Sequence, residues 1–348
     1  MLLGRLLMVT TRSHAAKSRM DQLPSTTRPS IPLVVMLLVA VAVVALALRG
    51  ADLGFDTFSA GLLCSSGQPH MISDAGLAFV RGTCAVIIWC SIAKRLNLLP
   101  FLGSEPQETV TPLYFPQSRL PRGASITLSG FNIFSTFTVQ CWTLQGLYFA
   151  GTFALWALDD PAQDADGKGR LRHIAACVLW VLFEISFTVA PLVSGVVRYI
   201  LIPTFLKNGE VPRMFFKSTV QLMHNANLLF IITEALLNRA AMIHAHYLFI
   251  ISFGLLYVMF AWCWLHATGI VYYAFIDPTL PPRIACPIHI GLIVVLAGLH
   301  SIGVFATVTT AHLPLGVRAI LLYGFASLLC WTSLFTGVPQ PQPQRTGK

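Results

Sequence analysis

Residues 218–237 read STVQLMHNANLLFIITEALL, an apolar run that nonetheless carries an imidazole, three carboxamides and a carboxylate. On a helical wheel of 100° per residue, Gln221, His224, Asn227 and Glu234 fall within an arc of roughly 140°, with His224 near its middle. Such groups are costly in hydrocarbon, so a helix of this kind turns its polar face to protein or water and marks a candidate site. A second stripe, Ser135, Thr138, Trp142 and Gln145, repeats at helical spacing. His266 lies in a third apolar run. Taken singly, these residues have plain structural roles. An intramembrane threonine often bonds its own i−4 carbonyl, and an intramembrane histidine often bonds a neighbouring helix.

The elements that must position them are set by composition. Of 348 residues, 55% are hydrophobic and only 11% charged, and the mean hydropathy is +0.70. The apolar residues come in continuous runs, not in alternation, so the expected fold is all-α: a polytopic helical membrane protein. Spans are expected at about 31–48, 76–93, 131–156, 174–196, 218–237, 247–275, 285–305 and 316–337. Eight spans place both termini on one side. With that topology, sixteen of the 23 Lys and Arg residues fall on the side of the termini. Five, Arg49, Lys168, Arg170, Arg172 and Arg239, fall on the other, and Arg81 and Arg318 lie within spans. The positive-inside rule therefore accounts for the net charge of +9 without a nucleic-acid partner.

Depth then relates the candidate groups. Counted from the inner end of each span, Thr138 lies about 10 Å deep, His224 about 9 Å and His266 about 13 Å. Three groups able to do chemistry thus share one layer. Arg81 and Glu184 share another, each about 18 Å from the inner end of its span, and are expected to form an ion pair.

Outside the spans, residues 1–30 are basic and poor in acid, read as a cytosolic tail or an organelle transit segment. The membrane domain runs from 31 to 337, and residues 338–348 form a Pro/Gln tail. The loop 94–130 is the longest inner loop, with a short hairpin expected around Leu113–Leu120. The loop 157–173 carries Asp159, Asp160, Asp164 and Asp166 but lacks the spacing of an EF-hand. Eight cysteines without a CxxC indicate neither a disulfide framework nor a zinc site.

Three segments carry a resemblance to a known family: TFTVQCWTLQGLYF (136–149), MHNANLLFIITE (223–234) and YVMFAWCWLHATGIVYYAF (257–275). Together they resemble the androgen-induced family of membrane hydrolases, which cleave fatty-acid esters of hydroxy fatty acids. They are also similar, more distantly, to the rolling-stone membrane proteins. The resemblance implies a six-span core at about 76–305, with Thr138 at the nucleophile position and His224 at the base position. It covers about 140 residues, and the chain departs from it in its span count, in the 94–130 insertion and in having Asn225 where small hydroxyl residues are usual.

The expected reaction is ester hydrolysis: His224 takes the Thr138 proton as the threonine oxygen attacks an acyl carbonyl. Gln145, Asn225 and Asn227 are candidate oxyanion donors, and with Trp142 and His266 they make up the candidate substrate-binding set. The mechanism calls for no metal or cofactor, and the expected partners are membrane lipid and an acyl ester. An endomembrane or the plasma membrane is the expected location, with a mitochondrial or plastid membrane as the alternative if 1–30 is a transit segment. The competing classes are a small-molecule transporter, with Arg81, Glu184 and Glu234 on its pathway, and a non-catalytic multi-span scaffold.

Overall fold

The protein was examined as a computed structural model, which describes residues 31–99, 101, 108–158, 168–209 and 211–331. The segments 1–30 and 338–348 and the four aspartates of the 157–173 loop lie outside the described residues.

All eight expected segments contain helix: α1 (Ile31–Gly50), α2 (Asp74–Arg95), α3 (Phe137–Ala157), α4 (Lys168–Val196), α5 (Ser218–Leu237), α6 (Tyr247–Thr268), α7 (Pro282–Val304) and α8 (Leu315–Leu329). Five helical runs are long and apolar enough to cross a membrane: Asp74–Arg95, Gly169–Lys207, Ser218–Leu237, His244–Thr268 and Pro282–Thr309. Two more apolar helical stretches, Ile31–Ala45 and Leu315–Leu329, are shorter. The chain is thus an all-α polytopic membrane protein.

α3 is absent from the five because its residues are too polar, and its packing explains how that polarity is tolerated. It lies against both α2 and α4, and further along against α5. Small residues let these backbones approach: a Cβ on Gly146 would come within 2.7 Å of Ile88, and one on Gly151 within 2.5 Å of Leu179. The run Gly169–Lys207 is 39 residues long, about 58 Å of helix, which exceeds a hydrocarbon core of about 30 Å.

Helix ends follow local chemistry. α2 opens with the Ser73 hydroxyl accepting from the Gly76 N–H and closes on Lys94 and Arg95, which suit the negative end of the helix. α6 ends at Gly269, whose φ of +76° is open to glycine at little cost and whose N–H bonds the Leu265 carbonyl.

The contacts divide the chain into two compact units. Among the described residues, one comprises 31–50, 108–136 and 251–295. In it, strands β1 (Glu108–Val110) and β2 (Ile126–Leu128) pair antiparallel, Thr109 opposite Thr127. The hairpin expected around Leu113–Leu120 is present, with its strands further out than those residues, which form the connection and are pinned by polar bonds. Ser118 Oγ donates to Asp277 Oδ2, and Arg119 N donates to Thr279 Oγ1 at 3.0 Å. The second unit comprises, among the described residues, 51–99, 101, 137–158, 168–209, 211–250 and 296–331. It holds Thr138, His224, Arg81 and Glu184, and its core is the packing of α2, α3, α4 and α5.

Candidate functional site

α3 and α5 meet through their polar faces. Gln145 Nε2 donates to the Asn227 carbonyl at 2.8 Å, a sequence offset of 82. Tyr148 donates its hydroxyl to Glu234 Oε1 at 2.6 Å, an offset of 86. Offsets that stay nearly constant as both numbers rise mean that the helices run in the same direction. Thr138 lies two turns before Gln145, where an offset of 82 or less sets it level with Val220 or earlier, about one turn before His224. Trp142, between Thr138 and Gln145, is fully buried; its Nε1 donates to Ser91 Oγ at 2.8 Å and its ring stacks near Phe230. Thr138 itself is half-buried in the first turn of α3.

His224 sits in a π turn, Leu222–Ala226, within α5. Such single wide turns are frequent at functional positions. Ser194 Oγ of α4 donates to the His224 carbonyl. The His224 imidazole Nδ1 is buried without a hydrogen-bond partner. With the ring proton on Nε2, Nδ1 carries a free lone pair. That is the tautomer a general base requires.

The other expected site residues separate into occupied and unoccupied groups. Asn225 Nδ2 donates to Gln221 Oε1 at 2.6 Å and to the Trp331 carbonyl, so it serves the local fold. Gln145 spends its N–H on Asn227, as above. Asn227 is buried and its Oδ1 has no partner. His266, expected to line an enclosed cavity, is instead exposed on α6 and belongs to the first unit.

The expected ion pair is corrected. Arg81 pairs with Glu234, not Glu184: Nε lies 3.1 and 3.2 Å from the two carboxylate oxygens and Nη2 lies 2.5 Å from Oε1. Tyr148 and Asn238 Nδ2 (2.9 Å) donate to the same Oε1. Equal depth does not fix the direction in which a side chain points around its helix. Glu184 instead accepts from the Ile243 N–H at 3.1 Å and lies 3.0 Å from His246 Nδ1. The other nitrogen of His246 is 2.9 Å from the Leu53 carbonyl. Beside it, His300 Nε2 bonds the Ile243 carbonyl at 2.8 Å.

Sequence reasoning missed Tyr148, Asn238, His246, His300 and Trp331. Two of these carried a signal: Tyr148 continues the stripe one turn beyond Gln145, and Asn238 follows Glu234 by one turn. His246 and Trp331 follow chain reversals and carried none.

Comparison of the chain with protein-family models, with curated proteins and with solved structures found no match. The fold and its apolar helices define the class, a polytopic helical membrane protein.

Proposed function

We propose that this protein is an integral-membrane hydrolase of lipid esters that uses Thr138 and His224. The observation that carries the reading is the unpartnered, buried Nδ1 of His224, with Thr138 in the first turn of the parallel helix α3. Nδ1 takes the Thr138 hydroxyl proton as Oγ1 attacks the acyl carbonyl carbon. The first turn of α3 is the positive end of the helix dipole, which favours the developing oxyanion. The ester C–O bond then breaks, the leaving alcohol receives the proton from His224, and an acyl-threonine remains. Water attacks that ester with His224 again as base, releasing the fatty acid and restoring Thr138.

The resemblance of 136–149, 223–234 and 257–275 to membrane hydrolases of fatty-acid esters supports the same assignment. Reaction of the purified protein with a fluorophosphonate probe, followed by peptide mass spectrometry, tests it. The adduct is expected on Thr138 and is expected to vanish in His224→Ala. An unlabelled Thr138 in protein that cleaves esters would move the nucleophile elsewhere.

A further inference from the structure

After α8 ends at Leu329, the next two residues fold back onto the π turn that holds His224. The Trp331 ring lies 5.6 Å from the His224 ring, centroid to centroid, at 51°. Both rings are almost wholly shielded, His224 at 8% exposure and Trp331 at 9%. The indole is placed by a set of directed bonds. Asn225 grips the Trp331 backbone from both sides: its Nδ2 donates to the carbonyl, and its Oδ1 accepts the N–H at 3.4 Å. The Trp331 Nε1 donates to the Phe215 carbonyl at 3.4 Å, and Gln221 Nε2 donates to the same carbonyl at 2.7 Å. The Gln221 Oε1 in turn accepts from Asn225.

The end of α8 is fixed from a third direction. Its last carbonyls have no partners within the helix, and the π turn Val197–Leu201 that continues α4 supplies them. Arg198 Nη1 donates to the carbonyls of Ser327 and Cys330, and the Tyr199 hydroxyl donates to that of Leu328. Three elements therefore converge to hold one aromatic side chain against one imidazole. Packing alone would not need Gln221, Asn225, Arg198 and Tyr199 to be spent on a short terminal turn.

We infer that Trp331 is the shield of His224, controlling access to the imidazole and, on the ester-hydrolase reading above, setting which acyl chains reach the base. The indole is a rigid apolar wall beside the only basic nitrogen of the pair. A straight acyl chain can lie along such a wall, whereas a branched one meets it. Asn225 and Gln221 are positioning residues that act through Trp331, and both N–H groups of the Asn225 carboxamide are spent on that role.

The test uses the full chain in detergent and two readouts. In the first, diethylpyrocarbonate modifies accessible neutral imidazoles, and the His224 peptide is followed by mass spectrometry. Modification is expected to be severalfold faster in Trp331→Ala and in Asn225→Ala, and near the parent rate in Trp331→Phe, which keeps an aromatic wall. Asn225→Ala leaves the indole volume intact, so it decides the matter if Trp331→Ala does not fold. Equal His224 modification in folded Trp331→Ala and in the parent would overturn the shield. In the second readout, kcat/KM is measured on straight-chain and branched p-nitrophenyl esters, and the ratio is expected to shift severalfold toward branched esters in Trp331→Ala. An unchanged ratio with faster His224 modification would overturn the specificity role alone. A parent protein that cleaves no ester would remove the hydrolase reading and the acyl role with it, while the modification rates still decide the shield.

Discussion

Arg81 and Glu234 form an ion pair with no exposure to solvent, joining α2 to α5, and the carboxylate is completed by Tyr148 from α3 and by Asn238. Three segments of the second unit thus end on one oxygen atom. A buried pair of this kind gains little over an apolar replacement, but breaking it strands a charge in low dielectric. Arg81→Met alone is expected to cost about 3–5 kcal/mol, and the double variant Arg81→Met/Glu234→Leu less than that single change. Thermal unfolding in detergent measures both. Additive losses would mean that the two charges are not coupled.

Tyr148→Phe removes one bond to the same carboxylate and leaves the ring packing in place. The expected loss is about 1.5–3 kcal/mol, the range for a hydrogen bond to a charged group. A loss no greater than that of an exposed tyrosine such as Tyr247 would show that the hydroxyl contributes little.

Gly67 is where the loop before α2 touches the end of α5. Its N–H bonds the Leu237 carbonyl at 2.7 Å, and a Cβ there would lie 2.8 Å from the Asn238 carbonyl oxygen. Backbone cannot step aside as a side chain can, so Gly67→Ala is expected to displace Asn238 from Glu234 and lower the melting temperature. Gly291 in α7 has nothing within 4 Å of a Cβ, and Gly291→Ala is expected to stabilise by about 0.5–1 kcal/mol through helix propensity. The opposite signs are the prediction, read from paired thermal melts.

Glu184 and His246 tie the chain around Leu53 to α4. The Leu53 carbonyl bonds His246, and Cys177 Sγ lies 3.9 Å from the Phe55 carbonyl, one turn of loop away. Glu184→Gln removes the charge opposite Nδ1 and is expected to loosen this strap. Maleimide labelling of Cys177, resolved by peptide mass spectrometry, should then rise while labelling of exposed Cys90 stays constant. Unchanged Cys177 reactivity would mean that the stacking of Phe58 on Trp180 holds the loop without the Glu184–His246 contact.

The helices were legible because long apolar runs in a chain this hydrophobic have few other solutions. Polar stripes were legible too: Gln145, Asn227 and Glu234 all face neighbouring helices as the periodicity indicates. The partners of those stripes were not. Arg81 and Glu184 match in depth, yet each turns to a different neighbour, because depth along an axis carries no information about azimuth. Glu184 meets His246 through a chain reversal at 238–246 that follows no period. Asn225 looked like an oxyanion donor, and only the return of Trp331 from 106 positions away shows what its carboxamide holds.

The central claim is that Thr138 and His224 act as one unit, and esterase kinetics on the two single variants and their combination test it most directly. Thr138→Ala and His224→Ala should each abolish ester cleavage, with Thr138→Ser retaining part of it because the hydroxyl survives. The double variant should be hardly slower than either single one, as expected when two residues serve one step. Full activity in folded Thr138→Ala would contradict the mechanism and return the protein to the scaffold or transporter class.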